Sequence, residues 1–98
     1  MKSFLYVITD TKARRTTEPF SCPSDESAKR NYLQGCFASN TPPQDCLLWR
    51  VGTFDIDSVD CNLFQIIDTK LALVTVTVEE IEAYSKIFNM MNNEEIEV

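Results

Sequence analysis

Residues 42–55 read PPQDCLLWRVGTFD. Two prolines open the stretch, an apolar ladder with the only tryptophan follows, and Gly52-Thr53-Phe54-Asp55 closes it. Proline cannot donate to a strand ladder, so Pro42 and Pro43 bound a strand rather than belong to its middle. Residues 46–54, CLLWRVGTF, are therefore expected to form a strand, with Gly52 marking a bulge or bend near its end. Leu48 and Val51 are expected to line the core, Trp49 to be largely buried, and Asp55 to anchor the following turn through backbone hydrogen bonds.

Upstream of this strand, residues 3–9 (SFLYVIT) are aromatic and β-branched and predict a first strand. Residues 10–16 (DTKARRT) are polar and basic and predict a hairpin tip. Residues 17–22 (TEPFSC) predict a short second strand, and Pro19 assigns it to a sheet edge. A helix is expected over 24–38. Ser24 or Asp25 caps it, acids fill its first turn, and Ala28, Tyr32, Leu33, Cys36 and Phe37 form one apolar face. Gly35 weakens it by up to about 1 kcal/mol relative to alanine. Residues 39–45 are a loop.

Downstream, residues 62–67 (NLFQII) and 71–76 (LALVTV) predict two strands joined through Asp68-Thr69-Lys70 as an antiparallel hairpin. Thr77 and Glu80 have capping-box spacing. Val78, Ile81, Tyr84, Ser85, Phe88 and Met91 then trace a helical stripe. Phe88, Met90 and Met91 suit either the core or an adaptable binding surface. Asn92 and Asn93 stop the helix, and 93–98 form a frayed acidic tail. The order is β-β-α-β-β-β-α. It predicts an α+β fold, a small antiparallel sheet with two helices packed on one face.

A chain of 98 residues fits one domain, here 1–98. Its hydrophobic share of 44% argues against wholesale disorder. The net charge of −6 disfavours generic binding to DNA or membranes, which needs clustered cations. No apolar run approaches a membrane span, and the start lacks a secretory pattern, so a cytoplasmic chain without membrane contact is expected.

Chemistry is sparse. Histidine is absent, which removes the commonest general base and every Ser-His or Cys-His nucleophile. Cys22, Cys36, Cys46 and Cys61 contain no CxxC pair, so free thiols are expected rather than a zinc site or disulfides. Asp55, Asp57 and Asp60 lack the glycine and glutamate of a calcium loop. Two glycines build no phosphate-cradling loop. The expectation is a non-enzyme with no cofactor and no metal.

Taken together, FLYVITD, EPF, DESAKRNYLQ and LLWRVGTFD, in that order, resemble the small nonstructural protein of gokushovirus-type microviruses, which are phages with small circular single-stranded DNA genomes. The matching positions are Pro19, Phe20, Ala28, Arg30, Pro43, Asp45, Leu48, Trp49, Val51, Gly52, Phe54 and Asp55, between residues 4 and about 66. The helix here lacks the second aromatic pairing usual in those proteins. Their closing segment is short and contains proline, whereas this chain continues through two strands and a helix. The resemblance implies a phage protein in the host cytoplasm, of a kind called DNA-binding or C-like, acting at the switch from replication to packaging of single-stranded genomes. The motif residues Pro43, Asp45, Trp49, Gly52, Phe54 and Asp55 are mainly structural.

Two function classes follow. The first is a DNA-binding accessory protein. Lys12, Arg14, Arg15, Lys29 and Arg30, with Tyr6, Phe20, Tyr32 and Trp49 nearby in sequence, supply the cations and rings that single-stranded DNA binding uses. A solvated loop has the same composition. The second is a protein adaptor or inhibitor, in which Glu79, Glu80, Glu82, Glu94, Glu95 and Glu97 meet a basic phage or host replication or capsid factor. Self-association as a dimer is expected from the edge strand and the small core.

Overall fold

The structure, a computed structural model, describes residues 2–55 and 65–96. Its frame is two long antiparallel strands, β1 (Lys2–Asp10) and β4 (Cys46–Asp55), paired from Lys2↔Asp55 to Asp10↔Cys46. Each long strand carries two short ones on its outer edge. β2 (Arg15–Thr16) and β3 (Phe20–Cys22) both pair with β1, while β5 (Gln65–Asp68) and β6 (Ala72–Val74) both pair with β4. All pairings are antiparallel.

Pro19 lies in the gap between β2 and β3, at the edge where a missing N–H breaks no ladder. The hairpin expected from 62–76 is not formed among the described residues. β5 meets β4 at Thr53–Asp55 and β6 meets it at Leu48–Arg50, so the two run along one edge in sequence. Gly52 lies where the β1–β4 register shifts. A Cβ there would sit 3.1 Å from the Asp68 carbonyl oxygen, so glycine lets β5 approach closely.

Helix α1 (Asp25–Ala38) starts at Ser24, whose hydroxyl accepts from the Ser27 N–H at 3.3 Å. It ends in a Schellman arrangement: Asn40 has φ 58°, its N–H bonds the Phe37 carbonyl, and the Thr41 N–H bonds that of Cys36. A 3₁₀ turn (Pro43–Asp45) leads into β4. Helix α2 (Val78–Ile96) opens with the predicted capping box, Thr77 N–H to Glu80 and Glu80 N–H to the Thr77 hydroxyl.

Both helices lie on one side of the sheet. Tyr6, Leu48 and Val74 from the strands bury with Ala28, Tyr32, Leu33 and Cys36 of α1, and Ile81 and Tyr84 of α2 pack against that cluster. Phe37 joins the helices through its contacts with Tyr84 and Phe88. Leu48 is 1% exposed, as expected, but Trp49 and Val51 are only half-buried. Trp49 neighbours Leu48 in β4, so alternation turns it to the side opposite the helices.

Candidate nucleic-acid interface

The basic stretch forms the turn between β1 and β2, and its shape is fixed locally. The Asp10 carboxylate accepts from the N–H groups of Lys12 and Ala13 at 3.0 and 2.9 Å, an Asx-type turn. Thr11 ties the turn to the 3₁₀ segment: its N–H and its hydroxyl both donate to the Asp45 carbonyl. Arg14 takes a left-handed backbone, φ 55°. Lys12, Arg14 and Arg15 are exposed, and none of them forms an ion pair among the described residues.

Lys29 has a different environment. Its ammonium lies 3.2 Å from Glu80 of α2 and 3.5 Å from Glu26, with the side chain 17% exposed. Burial alone would lower its pKa, but hydrogen bonding and the charge of Glu80 outweigh this and raise it. The Glu80 carboxyl is held below its ordinary value, first by the Thr77 backbone N–H and then by Lys29. Lys29 therefore bridges the helices. Arg30 is exposed. It stands nine positions before Ser39, about 13 Å along the helix axis from the end near the turn, so the five predicted cations do not form one patch.

The rings expected beside the cations are mostly internal. Tyr6 and Tyr32 are 0% and 3% exposed, and Phe20 stacks on Tyr6. The Tyr6 hydroxyl donates to Asp25 at 2.6 Å, and Arg50 lies 3.4 Å from the same carboxylate. Arg50 also sits over the Phe4 ring, 5.3 Å from its centroid. Burial, with the Asp25 carboxylate beside it, pushes the Tyr6 phenol well up. This trio pins the start of α1 to the sheet. Sequence reasoning did not find it, because its members come from three separate elements. The Tyr32 hydroxyl donates to the carbonyls of Pro43 and Cys46. That contact gives the proline-bounded motif its structural role: α1 holds the entry to β4.

A cleft of about 340 Å³ lies between the turn and the end of α1, lined by Arg15, Thr17, Ser39, Thr41, Cys36 and Cys46 among others. The two cysteines are buried and free, as is Cys22. Burial and the neighbouring Cys46 push the Cys36 thiol up to about 12, so it stays protonated and unreactive. Cys61 and the Asp57–Asp60 part of the acidic loop lie outside the described residues. No group of three metal-binding side chains occurs among the described residues. None of the described helices is long and apolar enough to cross a membrane.

Residues 3–73 match the family described as Phage ORF5 protein. The chain belongs to this family of phage proteins. The matched span takes in nearly all of the sheet, α1 and the basic turn; it ends within β6, before α2. No curated protein and no solved structure matches the chain.

Proposed function

We propose that this phage protein is a non-enzymatic accessory factor that binds single-stranded DNA through the Lys12–Arg15 turn. The resemblance to the small gokushovirus protein supports a role at the switch from replication to genome packaging, in the cytoplasm of the infected host. The observation that carries the reading is the contrast among cations: Lys29 and Arg50 have carboxylate partners, whereas Lys12, Arg14 and Arg15 stand exposed, with no ion pair among the described residues, on a turn already shaped by Asp10 and Thr11. Arginine suits phosphate because its planar fork donates two hydrogen bonds at once. Repulsion from the net charge of −6 is screened beyond about 8–10 Å at physiological salt, so a local patch can act. With Tyr6 and Tyr32 buried, contact is to the backbone rather than by base stacking, and affinity is low.

Fluorescence anisotropy with a labelled single-stranded oligonucleotide tests this. Binding is expected at about 50 mM salt, and three neutralised phosphates give a log–log salt slope of about −2. No binding at that salt rejects the reading.

A second reading, a protein adaptor or inhibitor without nucleic acid, is favoured by α2. Val78, Ile87, Met90 and Met91 are exposed on this helix beside the acids Glu79 and Glu82. Capture of a phage or host replication or capsid protein by the full chain, lost in Ile87→Glu, is the result that would favour it.

A further inference from the structure

Among the described residues the sheet has helices on one side and none on the other. Register and alternation place Leu5, Val7, Leu47, Trp49, Phe54 and Leu73 on that open side: Val7 pairs with Trp49, Trp49 with Leu73, and Leu5 with Gly52. The remaining positions on it are uncharged as well. Leu47 and Leu73 are 37% and 50% exposed. An uncharged face on a chain of net charge −6 is selective. Among the described strand positions it has no cation for nucleic acid and no carboxylate for a basic protein. Its complement is another uncharged apolar face.

We infer that the occupant is a second copy of this chain, stacked sheet on sheet about a two-fold axis through the Trp49 face. Size supports this. The long strands have nine and ten residues. At about 3.3 Å per residue, and about 4.8 Å between strands across four strand positions, the face measures roughly 600 Å². Two copies bury roughly 1,200 Å², the lower end for a specific interface. A two-fold contact is self-complementary by construction, and this face brings no like charges together. The Lys12–Arg15 turn lies at the end of β1, off this face, so the dimer presents two basic turns.

Analytical ultracentrifugation of the full chain, from about 1 to about 100 μM to bracket an interface this small, tests the inference. A monomer–dimer equilibrium is expected, with Trp49 emission shifting to the blue as dimers form. Leu47→Lys and Leu73→Lys alter side chains already exposed in the monomer. Each is expected to leave the circular dichroism and the dilute melting curve unchanged and to raise the dimer dissociation constant at least tenfold. A wild-type monomer throughout, with Trp49 emission independent of concentration, overturns the inference. Lysine variants that dimerise as well as wild type also overturn it. Sedimentation with neutral phosphatidylcholine vesicles covers the remaining occupant: no binding is expected, and vesicle binding by a monomer, abolished by Leu73→Lys, would assign the face to lipid instead.

Discussion

Leu48 and Trp49 are neighbours in β4, yet they belong to different parts of the molecule. Leu48 is 1% exposed under both helices, while Trp49 is half-buried on the open side. The same division runs through the charges. Arg50 and Lys29, on the helix side, hold elements together through Asp25 and Glu80. Lys12, Arg14 and Arg15, on the turn at the end of β1, hold no carboxylate among the described residues. Burial on one side is used to build the fold. What lies outside that side is available for binding.

The sharpest way to break this contrast is to truncate both neighbours. Leu48→Ala is expected to cost about 2–5 kcal/mol, the range for a fully enclosed aliphatic side chain. Trp49→Ala is expected to cost less, about 1–2 kcal/mol in the dilute monomer, because Trp49 is partly exposed and packs outside the buried cluster under the helices. Urea denaturation measures both. Equal losses would mean that the open side is as much core as the helix side.

Tyr6→Phe removes the donor to Asp25 and keeps the ring stacked on Phe20. A loss of about 1–2 kcal/mol is expected, since Asp25 then keeps Arg50 but loses its shortest bond. No measurable change in urea stability would show that the trio does not hold α1 to the sheet.

Lys29→Gln has a smaller effect, about 0.5 kcal/mol for a partly exposed pair. The linked pH effect has a definite sign. The Glu80 carboxyl is depressed below its ordinary 4.5. Its contribution is therefore present above that pH and lost as pH falls through the lower folded value. Thermal melts of wild type and Glu80→Gln should differ at neutral pH and converge in acid. A constant difference would show that the carboxylate is not what matters there.

Much of the frame was legible in the sequence. Aromatic and β-branched composition marked β1, a proline-bounded apolar run marked β4, Ser24 marked the start of α1, Thr77 and Glu80 marked that of α2, and Pro19 marked an edge. The paired edge segments were not legible. Two short apolar runs separated by a polar turn look the same whether they pair with each other or both follow one longer strand. The side of the sheet that Trp49 takes was not legible for a related reason: an unbroken apolar run does not say which of its two faces a helix will cover. In the candidate site, the basic turn was legible from composition alone. The engagement of Lys29 was not, because Glu80 is 51 residues away in sequence. Tyr32 was legible as part of the apolar face of α1, which removes its ring from DNA; the burial of Tyr6 was hidden by its polar end, which finds Asp25 inside.

The smallest expected effect on stability belongs to the turn, and it coincides with the largest expected effect on binding. Arg14→Glu with Arg15→Glu touches exposed side chains that form no ion pair among the described residues and is expected to shift stability by less than about 0.5 kcal/mol. The direct test is a parallel titration of single-stranded DNA at about 50 mM salt with wild type, this double variant, and Lys29→Gln with Arg30→Gln. Near-complete loss of affinity in the turn variant, with the helix variant close to wild type, is the predicted result. Equal affinity in wild type and the turn variant, or a larger loss in the helix variant, would contradict it.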